Sequence, residues 1–582
     1  MGWIDRLNQR VAKSVVGCYF KLRGSGVDGE RNTTFITELR AGLATFVTMS
    51  YIIAVNPAII SDTGGTCVCT PSPGGDRLCV GQPQYEACVY EVRKDLITST
   101  AAISGIASIL VGLLANLPLG LAPGMGLNAY FTYTVVGFHG SGKVSYQSAL
   151  TAIFLEGIIF MLLTFFGIRQ YLVKVLPNTI KNAMSVGVGF FLAHIGLQRT
   201  AGIGLVGFNP ATLVGLAGCP PEYLDPKTNE CMGHTMESPT MWLGILGFAV
   251  ISILMMFRVK GAALMGILLV SIISWPRNTP VTYFPNTELG DKQFEFFKQV
   301  VTFHPIQKIL SVLSFSLHGN DVWVALITFL YVDILEATSG MYTLVNLAGF
   351  VDEWGDFPGS FAAFMADGLA VMVGAFFGTS PVTAYGENGV GIAEGGKTGL
   401  TAITIGIMFF LSIFLAPIFA SFPPWATGPA LVIVGSLMCR AGREINWEHI
   451  GDAIPSYVTI ALMPLTYSIA YGVIGGVATY VVLNVGVWAI EKLSCGKMIC
   501  DKSNKEPWLQ RGVKAQPPWY PYLRRRFIRK QPKSKVMEFE GVEIEIEKES
   551  DGDRRSVASQ SSVEKEGNVR SATVLEVNAD KD

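Results

Sequence analysis

Four carboxylates stand in stretches of sequence that otherwise hold almost no charge. Asp333 and Glu336 lie in LYVDILEATSG, Asp367 in AFMADGLAV, and Glu387 in TSPVTAYGENGVGIAEGG. The i, i+3 spacing of the first two puts them on one side of a helix. An ionisable group in the middle of a bilayer costs at least a few kcal/mol, so such residues mark paths for ions or solutes. No Lys or Arg lies within these stretches, the nearest being Lys397. Apolar surroundings disfavour charge, so some of these acids should often carry a proton, as a proton carrier requires. A carboxylate can also accept from the N–H edge of a flat, neutral solute. Asn128 offers donor and acceptor together, and Tyr130, Phe131 and Tyr385 offer ring faces for stacking. Glu156 is either structural or a second proton site, and His194 suits helix packing or a gate.

The rest of the chemistry is bounded by what is missing. The sequence has no GxxxxGK[ST], so ATP drive is not encoded in it. It has no HExxH, GxSxG or paired CxxC, and its six His are not at ligand spacing. A membrane-embedded enzyme is therefore disfavoured, and neither a metal nor another cofactor is expected. An anion exchanger would present helix N-termini and a cation to its ligand, whereas carboxylates are presented here.

The elements that must hold these residues are membrane helices. Half of the 582 residues are hydrophobic and only 15% are charged, against about 25% charged in soluble domains. Spans need roughly 20 mostly apolar residues. The candidates are 39–60, 96–116, 148–168, 180–198, 241–257, 261–275, 323–345, 360–377, 400–421, 428–439, 456–471 and 473–491. Two further stretches, 118–137 and 379–395, are apolar but broken by Gly and Pro, which brings the expected count to fourteen. The first 30 residues are too polar for a signal peptide.

Basic residues near the amino terminus (Arg6, Arg10, Lys13) and beyond the last span (Arg524, Arg525, Arg526) predict cytosolic termini by the positive-inside rule. The loops 61–94 and 200–239 then face outward. They carry Cys67, Cys69, Cys79 and Cys88, and Cys219 and Cys231. Even counts in an oxidising compartment predict disulfides, with pairing left open.

The expected fold is an all-α polytopic membrane protein of two seven-span sets, the second inverted. Its parts are a cytosolic segment 1–37, a first repeat 38–275, an extracellular linker 276–321, a second repeat 322–491 and a cytosolic, largely disordered tail 492–582. The linker's FHPIQKILSVLSFSL run predicts an interfacial amphipathic helix. The third span of each set is the broken one (PLGLAPGMGLNAYF at 118–131 and TSPVTAYGENGVGIAEGG at 379–396). Such paired interruptions point to a carrier's binding site. Broken backbone survives at membrane depth only inside protein or beside a cavity.

GMGLNAYF at 124–131, YVDILEATSG at 331–340 and SPVTAYGENGVGIAEGGKTGLTA at 380–402 resemble the Azg-like adenine–guanine–hypoxanthine permeases. ELRAGLATFVTMSYIIAVNPAII at 38–60 is similar to the same family. The resemblance covers about residues 30–490 and extends to the wider nucleobase–cation symporter type 2 fold. It implies a seven-plus-seven inverted repeat whose broken third and tenth segments hold short extended stretches. It also implies a core domain (spans 1–4 and 8–11) moving against a gate domain (5–7 and 12–14) as an elevator. Proton symport of purine bases at the plasma membrane of a fungus-like cell is implied as well, and frequently a homodimer; nucleic acid is not a partner. By motif position, Asn128, Asp333 and Glu387 would hold the purine, joined by Tyr130, Phe131, Tyr385 and Asn388. Glu336 and Asp367 would support them or carry the proton. The family often has Asp or a small polar residue where Glu336 stands.

Overall fold

A computed structural model describes residues 2–69, 79, 82–169, 172, 177–199, 202–209, 211–225, 230–316, 319–351, 357–494, 505, 536–539 and 542–545. Among these, eight helices are long and apolar enough to cross a membrane, and the apolar helices Ala262–Ser274 and Ser360–Phe376 are shorter. Each uninterrupted span expected from sequence falls on helix, with two displacements. One helix runs Pro83–Ala115, thirteen residues upstream of the expected 96, because Pro83 starts it at the first turn. The 456–471 span is instead Ile450–Thr466, stopped by Tyr467 in the left-handed region at φ 52°.

The two broken segments meet. Leu121–Pro123 and Val382–Ala384 form a two-stranded antiparallel ladder, Leu121 opposite Ala384 and Pro123 opposite Val382. A short helix follows each strand, Met125–Ala129 and Asn388–Ala393. The first runs on as a π-helical stretch, Tyr130–Val136. Strand pairing answers how free backbone groups are satisfied at this depth: each interrupted segment supplies the other's partners. The extended stretches are where the sequence placed them.

The helices carrying the acids pack by close approach at glycine. A β-carbon on Gly157 would sit 2.8 Å from the Gly368 carbonyl oxygen, and one on Gly368 would meet Phe160 and Met161. Helices Tyr146–Phe165 and Ser360–Phe376 thus cross with their backbones nearly touching. The residues just before these glycines are Glu156 and Asp367.

Glu38, which entered the reading only as part of a motif, is a buried cap. Its carboxylate accepts from the backbone N–H of Lys397 (2.9 Å), Thr398 (3.1 Å) and Thr401 (3.2 Å), and from the hydroxyls of Thr33 and Thr401 (both 2.7 Å). It thereby satisfies orphan donors at the start of helix Gly399–Ser412. Glu38→Ala strands several buried N–H groups, each costing about 1–3 kcal/mol. The expected result is at least about 3 kcal/mol of destabilisation and little protein at the cell surface, checked by thermal unfolding in detergent and by surface labelling.

One expectation is corrected. The described part of the expected run, residues 303–316, is not helical; the linker's helix is Glu288–Lys298. The run's backbone is held by tertiary partners instead. Asp95 accepts from the N–H of Gln307 and Lys308 and bonds His304, Ser311 donates to the Phe376 carbonyl, and Ser314 donates to Thr151. Between helices Asn178–Leu197 and Pro239–Met256, Val206–Asn209 pairs with Leu213–Leu216. In a second unit, residues 521–582, Val536–Phe539 pairs with Val542–Glu545 in the tail. All six loop cysteines pair, as Cys67–Cys88, Cys69–Cys79 and Cys219–Cys231.

Candidate functional site

Two acids near the ladder are partly exposed. Glu387, just past the second strand, is partly exposed, as is Glu336 on helix Asn320–Leu347. Gly386 and Ser339, their near neighbours in sequence, are exposed. The Tyr51 hydroxyl donates to Glu387 Oε1 at 2.7 Å. A β-carbon on Gly126 would lie 3.1 Å from Glu336 Oε1 and 2.7 Å from Val188 Cγ1, with Ile469 at 3.9 Å. The bare backbone at Gly126 therefore faces Glu336 on one side and, on the other, Val188 and Ile469 from helices Asn178–Leu197 and Ile469–Leu493.

The remaining sequence-selected residues divide by burial. Asn128 is fully buried: the Ser380 hydroxyl donates to its Oδ1, and its Nδ2 has no partner. It ties the first broken segment to the second. Asn388 is fully engaged elsewhere. Its Oδ1 accepts from Gly120 N–H, and its Nδ2 donates to the carbonyls of Gly120 (2.8 Å) and Tyr385 (2.7 Å). Tyr385 donates to the Pro123 carbonyl. Tyr130 and Phe131 pack in the core against Phe329 and Tyr146. These rings are not free to stack on a solute in this conformation.

Because Asn388 clamps the two broken segments, its loss should read as stability rather than recognition. Asn388→Ala removes three buried bonds, each worth about 1 kcal/mol with a further penalty for stranded groups. A drop of roughly 2–4 kcal/mol in unfolding free energy is expected. The further thermal shift produced by a bound base should persist in whatever protein folds.

Asp333 and Asp367 do not reach the accessible surface. Both are fully buried, and so is Glu156. Asp333 feels Glu156, Asp367 and Glu336 electrostatically, and Asp367 feels Arg169. No Lys or Arg lies among the acids in sequence, but Arg169 comes near Asp367 in the fold. Its guanidinium donates to Thr338 Oγ1 at 2.7 Å and lies 3.4 Å from the Phe364 ring centroid.

Along the first broken segment, Tyr133 donates to Asp62 at 2.7 Å and Thr134 donates to the Tyr467 carbonyl. The Tyr467 ring packs on His194 and Phe191, and His194 bonds Gln198. This contact joins the first broken segment to the helices that carry Val188 and Ile469. Tyr51, Ser380 and Tyr467 escaped the sequence reading; Tyr51 was legible only as a hydroxyl inside an apolar span. A separate cavity of about 290 Å³ beside Cys219, Arg199 and Trp425 holds none of the acids.

The paired broken segments and their acids, set among apolar helices, define a multi-pass membrane transport protein rather than an enzyme. A permease family model, that of the xanthine/uracil permeases, matches residues 80–475. The efflux pump NotK' of Aspergillus versicolor is 52% identical over 532 residues, covering 88% of this chain and 92% of its own. The adenine permease AdeQ of Escherichia coli is 33% identical (79% and 90% covered), and the guanine/hypoxanthine permease PbuO of Bacillus subtilis is 31% identical (79% and 94%). Among solved structures, SLC26A9 shares the fold at a TM-score of 0.50 and 13% identity, over 78% of this chain and 65% of that one. The chain belongs to the xanthine/uracil permease family.

Proposed function

We propose that this chain is a proton-coupled symporter of the purine bases adenine, guanine and hypoxanthine at the plasma membrane, with both termini cytosolic. The observation that carries the reading is the antiparallel ladder with Glu387 and Glu336 partly exposed beside it. Purine bases present ring N–H and amino donors on a planar edge, which carboxylates accept. Glu387, oriented by Tyr51, takes that edge, and Glu336 faces the base across Gly126. Asn128 acts from behind, holding the two broken segments together, and Tyr385 and Asn388 fix the ladder. The relatives named for adenine and for guanine/hypoxanthine support the substrate class.

Fourteen spans in two inverted sets of seven fit the helices and the paired strand–helix units. Movement of the acid-bearing half past the half carrying Val188 and Ile469 would expose the base alternately, as an elevator. The Thr134–Tyr467 contact would then break and re-form with each cycle. Dimers of such units are in keeping with the reading.

A second reading, export of the solute, is favoured by the 52% identical relative named as an efflux pump. Uptake and efflux of labelled bases in cells lacking their own carriers separates the two. Inward, saturable accumulation supports symport, and accelerated loss from preloaded cells without accumulation supports export.

A further inference from the structure

The first 23 residues carry five basic side chains, Arg6, Arg10, Lys13, Lys21 and Arg23, against one acid, Asp5. They hold two short helices, Trp3–Ala12 and Val15–Tyr19. At about 100° per residue, Trp3, Leu7 and Arg10 fall on one stripe of the first helix, with Arg6 and Lys13 on a second stripe beside it. The opposite side is held by protein: Asn8 Oδ1 accepts from the Ile36 N–H at 3.1 Å, and Ala12 is buried. The second helix is pinned as well. The Tyr19 hydroxyl donates to the Leu113 carbonyl, and Phe20 and Leu22 pack with Leu400.

These contacts leave an apolar strip outside. Trp3 is 74% exposed and Val15 87%, and Ile4, Val16 and Tyr19 are exposed too. So are Leu113 and Leu114, at the end of the membrane-crossing helix Pro83–Ala115. Tyr19 ties the strip to that helix end, which is the level where hydrocarbon gives way to headgroups. Arg6, Arg10 and Lys13 are exposed, and none of them makes an ion pair among the described residues. Clustered exposed apolar side chains mark a contact surface. A helix with Trp on one face and Lys or Arg along its edge lies in the plane of a bilayer surface, apolar side down. Basic side chains there are drawn to the anionic lipids of the cytosolic leaflet. Charge complementarity and continuity with the end of a membrane helix therefore select lipid over a soluble partner.

We propose that residues 3–19 dock on anionic phospholipid headgroups of the cytosolic leaflet. Trp3, Leu7, Val15 and Val16 enter the interface, while Arg6, Arg10 and Lys13 hold the headgroup anions. The chain thus carries a lipid-recognition surface apart from the purine site.

The inference rests on the cytosolic placement of the amino terminus, and the test separates the two. Full-length chain with Gly2→Cys, Cys18→Ser, Cys439→Ser, Cys495→Ser and Cys500→Ser offers one thiol outside the three disulfides. Labelling of that chain in intact cells by a membrane-impermeant maleimide would defeat the cytosolic placement itself. With an environment-sensitive dye on the same thiol, the chain is placed in nanodiscs. Emission should lie at shorter wavelength in discs containing phosphatidylserine than in discs of phosphatidylcholine alone. Arg6→Gln, Arg10→Gln and Lys13→Gln together should abolish that difference. Emission at the same short wavelength in both lipids overturns the proposal, because neutral lipid, the chain itself or a second copy then covers the strip. Emission at the same long wavelength in both leaves the strip in water and overturns it equally. So does a lipid difference that survives the triple substitution. The comparison of the two lipids changes no basic residue, so it decides even where the triple variant fails to fold.

Discussion

Glu387→Gln is expected to lower purine uptake by about 100-fold while leaving the protein at the membrane. The substitution keeps the shape of the side chain and replaces one carboxylate oxygen with an N–H₂ group. Two things fail together. The amide offers a donor where the base also offers donors, and the charge that strengthens the remaining bond is gone. Hydrogen bonds to a charged group contribute about 1.5–3 kcal/mol net, and about 2.7 kcal/mol corresponds to that factor in affinity. Tyr51, which donates to Glu387 at 2.7 Å, can still donate to the amide oxygen, so the local fold should hold. Concentration-dependent uptake combined with surface biotinylation checks both halves. Uptake like that of the wild type would remove Glu387 from the site.

Gly126→Val is expected to abolish uptake altogether, by a different cause. The added β-carbon alone would lie 2.7 Å from Val188 Cγ1 and 3.1 Å from Glu336 Oε1. Real side-chain contacts are longer, so Val188 must retreat or the short helix must shift, and the γ-methyls would fill the space offered to the base. Overpacking of this kind costs about 1–3 kcal/mol, and Gly126, itself buried, lies between Glu336 and Val188. Loss of binding should therefore exceed loss of stability. Gly126→Ala with Val188→Ala relieves the closest contact and should restore part of the uptake. An inactive double variant that still binds base would show that the glycine serves motion instead.

The two predictions draw on different kinds of legibility. Broken segments were readable because glycine and proline clusters in an apolar chain have few physical explanations, and the ladder 121–123 with 382–384 falls inside them. Helix positions were readable from hydropathy, whereas their ends were not. Nothing in local composition shows that Pro83 starts a helix thirteen residues before the apolar run, or that Tyr467 stops one. An amphipathic pattern fits either a surface helix or an extended strap, and for 303–316 it is Asp95, far away in sequence, that holds the strap.

Among the acids, sequence gave membership but not facing. Asp333 and Glu336 were known to share a side of one helix. Which of them meets solvent depends on Gly126, Glu156 and Asp367, whose proximity no spacing reveals. The same holds for Arg169, which a count by span assigns to the membrane edge and which the fold turns inward over Phe364. In this conformation Tyr130 and Phe131 pack on Phe329 and Tyr146, and Asn388 bonds Gly120 and Tyr385, partners that residue type alone does not reveal.

The measurement that bears most directly on the central claim is uptake of radiolabelled adenine, hypoxanthine, guanine, xanthine and uracil into cells without their own purine carriers, with and without a protonophore. Saturable uptake of adenine, hypoxanthine and guanine that collapses with the proton gradient and ignores uracil is the predicted result. No accumulation of any base, with the chain demonstrated at the cell surface, would contradict the account.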